Sequence, residues 1–283
     1  MRINRSENSI EGEFVVRKKW AFYCSTFLVC LLFFMAVFGP WLMPNDPHVP
    51  NMAAKLQGFS AQYPLGTDHL GRCVLSRLVE GARVSLFVAF IVLAATLSIS
   101  MIVGLTAGYA GGWIDLVLMR ICDILLAIPN FIFALVIVGA LGAGMKNLVI
   151  AIVVVVWVGF ARVIRNMVVS LKETNYVVYA KICGVPTWKI ILRHIVPFVF
   201  PQMLLLKLIG LGSTILMISE LSFLGLGITP PTAEWGMMIS ESKTYLMTKP
   251  ELMIIPGVMI SLTVLIFNAF GDSLRDVLDP KST

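Results

Sequence analysis

Apolar residues fall in long runs along this chain, and short polar segments separate the runs. The runs lie at residues 20–43, about 85–109, 116–141, 147–164, 198–227 and 251–270. A helix needs roughly 20 apolar residues to cross a bilayer, so the pattern predicts six spanning helices. Period-two alternation is missing, and the runs are too long for barrel strands. Pro129 falls inside the third run and predicts a kink there. Trp20 and Trp41 sit near the ends of the first run, where interfacial aromatics belong. That run is too long for the core of a signal peptide, and no small-residue cleavage site follows it.

Two polar segments carry helical patterns of their own. In 171–197, Tyr176, Tyr179, Ala180 and Cys183 recur at i, i+3, i+4 and i+7, and so do Trp188, Ile191, Leu192 and Ile195. Each set lies on one face of a short helix. Gly184 suits the left-handed end of the first helix, and Pro186 cannot continue it. Thr187 is predicted to cap the second helix and Pro197 to close it, giving a helix over 187–196. Loops between helices are usually short; this one has the pattern of a docking element. In 44–83, Leu70, Val74, Leu75, Leu78 and Ala82 form a stripe that predicts an amphipathic interfacial helix. Asp68 is expected to cap it, with Arg72, Arg77, Glu80 and Arg83 facing away from the stripe.

Charge assigns the sides. Arg17, Lys18 and Lys19 precede the first run, Arg162 and Arg165 end the fourth, and Lys172, Lys181, Lys189 and Arg193 lie in 171–197. Basic flanks mark the cytoplasm. The chain therefore divides into a cytoplasmic N-terminal segment (1–19), a first transmembrane helix (20–43) and an extracytoplasmic segment with the interfacial helix (44–83). A five-helix membrane core (84–270) containing segment 171–197 and a cytoplasmic tail (271–283) complete it. Both termini are expected in the cytoplasm. The arginines of 44–83 run against the same rule.

Composition agrees with an all-α, polytopic membrane protein. The 283 residues are 58% hydrophobic and 13% charged, whereas a soluble domain is about a quarter charged. The net charge of +6 is then a matter of topology and not of nucleic-acid binding. The 5 cysteines have no CxxC spacing and read as small hydrophobes, and the 3 histidines make no metal-site pattern. No metal site is expected on the chain.

The chemistry of an enzyme is missing. No G-x-x-x-x-G-K-[ST], H-E-x-x-H or G-x-S-x-G occurs. Ionisable residues within spans are functional candidates, because burying them in lipid is expensive. Asp123, Lys207 and Glu220 are such residues, and Asp123 and Glu220 are candidates for the transport pathway or for polar contacts between helices. Lys207 and Glu220 are roughly 20 Å apart on a straight helix and are not expected to pair. The 15 methionines read as adaptable packing. Gly104 and Gly108 suit a close helix crossing.

Segment 171–197 resembles the cytoplasmic coupling loop of the permease subunits of bacterial binding-protein-dependent ABC importers. Ala180 matches the second alanine of that pattern, Gly184 its glycine, and Ile195 and Pro197 its closing residues. Val178 stands where Glu is usual, and Tyr179 where the first Ala is usual. Three further stretches are similar to the nickel/dipeptide/oligopeptide subfamily: LGTDHLGRCVLSRLVEGARVSL at 65–86, SFLGLGITPPTAEWG at 222–236 and GDSLRDVLDP at 271–280. Cys73 replaces a usual Asp in the first.

The resemblance implies the type I importer permease fold with six transmembrane helices. It implies a bacterial cytoplasmic membrane location and a non-catalytic subunit with no cofactor of its own. Partners would be a second homologous permease, two cytoplasmic ATP-binding subunits that use ATP and Mg, and an extracytoplasmic binding protein. ATPase coupling would involve Ala180, Gly184, Trp188, Lys189, Ile191, Leu192, Arg193, Ile195 and Pro197. PTAEWG and the tail look most like the nickel-type member, so the expected cargo is nickel or a related transition metal, free or chelated. Di- and oligopeptides are the alternative within the subfamily. A stand-alone channel or facilitator is the alternative of another class; it would need no patterned docking segment.

Overall fold

The computed structural model describes the backbone of residues 3–278 and the side chains of residues 20–277. The basic side chains of 17–19 and the last residues of the tail lie outside this range. Among the described residues the regular structure is helical. Helix α1 covers Ile3–Leu42, α2 Val74–Ala110, α3 Gly112–Leu126, α4 Asn130–Leu141 and α5 Met145–Lys172. Helix α6 covers Asn175–Ile182, α7 Thr187–Ile190, α8 Val196–Ile209, α9 Leu211–Phe223, α10 Trp235–Ser242 and α11 Glu251–Leu278. By length and composition 5 helices can cross a membrane, and the bent pair α3–α4 brings the number to 6.

Three elements differ from the sequence pattern. The interfacial helix expected within 44–83 is not separate. From Val74 onward it continues as α2 for 37 residues, because no proline or turn interrupts 74–110. The third run breaks by 87° instead of kinking. Pro129 takes the N-cap position of α4 with φ −55, where its missing N–H costs nothing. The fifth run splits at Gly210 into α8 and the short α9.

The chain forms two compact units. One contains residues 1–87 and 208–283. There α1 lies along α11, with Phe22 stacked on Phe270 at 6.3 Å, and α9 and α10 also pack on α11. Its core gathers Val74, Leu78, Ala82, Trp235, Met238, Leu252 and Ile260.

The other unit contains residues 88–207. Its core is Leu97, Ile164, Val168, Val177, Ile190, Ile195, Val199 and Met203, so α2, α5, α6, α7 and α8 share one packed interior. Lipid tails are as apolar as leucine, so close packing and polar contacts hold such helices together, not exclusion from water. The crossing of α2 and α5 shows this. A Cβ at Gly104 would lie 2.6 Å from Ile164 Cβ, and one at Gly108 would lie 2.7 Å from Val168 Cβ. Only glycine permits that approach. On the same seam Ser100 Oγ donates to the Trp157 carbonyl at 2.8 Å, and Lys172 Nζ donates to the Gly108 carbonyl at 3.0 Å.

Candidate functional site: a two-helix surface and its buried support

Segment 171–197 folds as a short helix, a tight turn and a second helical stretch. Gly184 has φ +75 and ends α6. Its N–H donates to the Lys181 carbonyl and that of Val185 to the Ala180 carbonyl, both at 3.1 Å, which satisfies the last free carbonyls of the helix. Pro186, not Thr187, occupies the N-cap position of α7, and no side chain caps it. Pro197 does not close the second helix. A π-helical turn at Ile191–Ile195 is followed directly by α8. In it the Val196 N–H reaches the Ile191 carbonyl, five residues back. Widening of the helix just ahead of a proline relieves the clash of its ring with the preceding turn.

The residues named for this segment divide between two faces. Val177, Ile190 and Ile195 are buried in the core of the unit, with Ala180 and Ile191 half-buried against it. Tyr179, Ile182, Trp188 and Leu192 are exposed, Ile182 by 74% and Trp188 by 60%. Gly184, Arg193 and Pro197 are exposed beside them, and Lys189 Nζ lies 5.4 Å from the centre of the Trp188 ring. An apolar patch edged by Lys181, Lys189 and Arg193 thus stands on a base fixed from behind. Ile182 belongs to this patch although it lies off both predicted stripes. Its exposure follows from the turn at Gly184, which sequence spacing does not encode.

The ionisable residues of the runs have distinct settings. Asp123 is ion-paired with Arg162 of α5 and lies 3.9 Å from Arg120. Asp115 pairs with Arg165, so α3 is tied to α5 at two points. Lys207 is buried; its Nζ donates to Thr96 Oγ1 at 2.8 Å and sits 3.5 Å from the centre of the Phe160 ring. Ammonium, hydroxyl and ring thereby satisfy one another without a carboxylate. Glu220 is exposed on α9.

Comparison with known proteins bears on this arrangement. The profile of the family described as "Binding-protein-dependent transport system inner membrane component" matches residues 100–283. The nickel transport system permease protein NikC of Escherichia coli (strain K12) is 36% identical over 267 residues, covering 94% of this chain and 96% of that protein. The chain belongs to this family. It is a permease subunit of an ABC importer and a multi-pass membrane protein. The dipeptide transport system permease protein DppC of Alkalihalophilus pseudofirmus is 41% identical over 247 residues, covering 87% of this chain and 81% of that one. Among solved structures, the inward-facing MetNI methionine ABC transporter matches with a TM-score of 0.55 at 17% identity, over 71% of this chain and 96% of that one. That likeness concerns the fold.

The permease also holds a buried charge network that sequence spacing did not reveal. Arg72 and Arg77 were expected to face away from the apolar stripe, yet both are buried. Arg72 Nε donates to Asp68 Oδ2 at 2.6 Å, and Arg77 Nη2 donates to Glu241 Oε2 at 2.6 Å. Arg72 Nη2 also reaches both oxygens of Glu241 at 3.2 Å. Asp68 does not cap α2. Its carboxylate accepts the N–H groups of Leu70 and Arg72 in the turn that leads to the helix. Glu241 lies 164 positions from Arg77, and only the fold brings the two together. The signal in the sequence was the set of arginines that defied the topology rule. Two of the three, Arg72 and Arg77, are neutralised by neighbours and do not act as topology markers.

Glu234 anchors the same region. It is fully buried, caps α10 by accepting the N–H groups of Gly236 at 3.0 Å and Met237 at 2.9 Å, and has Ser85 Oγ at 3.3 Å. Beside it Trp235 Nε1 donates to the Leu78 carbonyl at 2.9 Å. Burial pushes the Glu234 carboxyl above its ordinary value; the backbone and serine donors pull it back in part. The folded state therefore holds this proton more tightly than the unfolded chain. Its contribution is fully present below the ordinary carboxylate range and is lost as pH rises through the raised value. Glu234→Gln is expected to flatten the difference in detergent melting temperature between mildly acidic and neutral pH. Equal pH slopes in the two proteins would contradict this. Glu234→Ala is expected to cost about 2 kcal/mol at mildly acidic pH, since cap and hydroxyl partners are both lost, and less as pH rises through the raised value.

Proposed function

We propose that this permease carries nickel or a related transition metal, free or chelated, delivered by an extracytoplasmic binding protein and driven by two cytoplasmic ATP-binding subunits. A second, homologous permease completes the pathway, and ATP and Mg act in the partner subunits only. The observation that carries the cargo is the end-to-end similarity to the nickel permease. Dipeptides are the second reading, favoured by the higher identity to the dipeptide permease. Among the described residues no group of three or more His, Cys, Asp or Glu side chains is arranged to hold a metal ion. First selection of the cargo falls, in this reading, to the binding protein that delivers it. Uptake of radioactive nickel and of labelled dipeptide by the reconstituted complex tests the two readings directly; uptake by this chain without an ATPase would overturn both.

In this reading segment 171–197 faces the cytoplasm, as do both termini, and its exposed patch seats in a groove of the ATPase. Tyr179, Ile182, Trp188 and Leu192 supply the apolar anchors, and Lys189 and Arg193 the charged rim. Ala180, Ile191 and Ile195 support the patch from within, so movement of the ATPase reaches α2, α5 and α8 through one packed core. Gly184 sets the angle between the two helices.

A Cβ at Gly184 meets nothing within 4 Å, so the cost of replacement is backbone strain alone. That cost is about 1–2 kcal/mol for an ordinary residue and higher for a β-branched one. Gly184→Val is expected to abolish transport and to loosen the ATPase in co-purification while leaving membrane insertion intact. ATP-dependent uptake at the wild-type rate would remove Gly184 from the coupling mechanism.

A further inference from the structure

Glu220 is a charged side chain of the runs that none of the contacts above employs. Helix α9 turns Ile215, Ile218 and Ser219 into its own unit and packs on α10 and α11. Glu220 lies on the opposite face, with Ser213 exposed and Met217 half-buried on the same side. Ser213, Met217 and Glu220 stand at i, i+4 and i+7 and form one stripe, in which the exposed Leu216 is the apolar member. Among the described residues the Glu220 carboxylate makes no hydrogen bond and no ion pair. Its counterparts differ: Asp123 has Arg162, and Lys207 has Thr96 and Phe160.

An ionised carboxylate on an apolar helix is costly against lipid and ordinarily faces a water-filled space. The stripe offers carboxylate, hydroxyl and thioether donors, with no basic residue among them. The geometry points to this face of α9 as a wall of the cargo passage, with Glu220 as a specificity-determining contact for a divalent metal ion in transit. This rests on the metal reading given above. A single carboxylate binds such an ion weakly, as conduction requires. Its field raises the local concentration of cations and discriminates against anions.

The test uses the complete complex in proteoliposomes, with nickel uptake, ATP hydrolysis and subunit co-purification measured together. Glu220→Gln is expected to lower uptake roughly tenfold at low salt, with the deficit shrinking at high salt as the field is screened. Assembly and binding-protein-stimulated ATP hydrolysis should stay near wild type, and Glu220→Asp should restore part of the uptake. Unchanged uptake in Glu220→Gln overturns the assignment. A deficit independent of salt, or loss of the second permease on purification, also overturns it and makes Glu220 a subunit contact. A wild-type complex that takes up dipeptide and no nickel removes the metal reading on which the assignment stands. Nickel uptake by the wild type with no effect of Glu220→Gln removes the assignment alone.

Discussion

Arg77→Met is expected to destabilise the permease by about 3–5 kcal/mol, the scale for breaking a buried ion pair from one side. Arg77 and Arg72 share Asp68 and Glu241 in a cluster with side-chain exposures of 1%, 2%, 9% and 11%. Two cations and two anions balance there. Removing Arg77 leaves Glu241 with Arg72 alone, at 3.2 Å. The excess negative charge is nearly cut off from water, which is what makes the loss large. The double variant Arg77→Met/Glu241→Met keeps the Asp68–Arg72 pair and is again neutral. It is therefore expected to be more stable than Arg77→Met. Thermal unfolding in detergent checks both, and additive losses in the double variant would contradict the network. Because the cluster joins α10 to the start of α2, the single variant should also release α10, seen as faster hydrogen exchange over 235–242.

Gly104→Val is the second large effect, and it arises from packing alone. The new Cβ would lie 2.6 Å from Ile164 Cβ and 2.7 Å from the Ala161 carbonyl oxygen. Backbone is involved, so no rotamer change relieves the contact and α2 and α5 must separate. The expected cost is at or above the upper end of the roughly 1–3 kcal/mol typical of overpacking. Separation also loosens the core that links α6 and α7 to α2. ATP hydrolysis is thus expected to persist while uptake falls. Gly139→Ala in α4 is the control, since a Cβ there meets nothing within 4 Å. It should be neutral or slightly stabilising because glycine is a poor helix former. Equal effects of the two substitutions would discredit the account of the seam.

Much of the molecule was legible in the one-dimensional pattern. Apolar run length identified the helices because a bilayer imposes a fixed thickness on each one. The turn at Gly184 was legible because a left-handed residue followed by proline has few alternatives. Boundaries set by continuity were not. No local signal divides Val74 from the later residues of α2, and hydropathy is blind to the break at Gly210 between two apolar helices. Pro197 read as a terminator because a π turn that admits proline is a property of hydrogen-bond register, not of composition.

By itself, then, the sequence determined that this is a helical membrane protein with a patterned two-helix segment at 171–197 and no catalytic motif, since length, period and residue type settle those features locally. Only the tertiary structure decided which face of that segment is free. Ile195 sits in the core while Ile182 is exposed, because the turn rotates the two helices against a common interior. It also decided the fate of the charges. Arg77 meets Glu241 and Asp123 meets Arg162, whereas Glu220 meets no partner among the described residues. Pairing depends on distance in space, and 164 intervening residues carry no record of it.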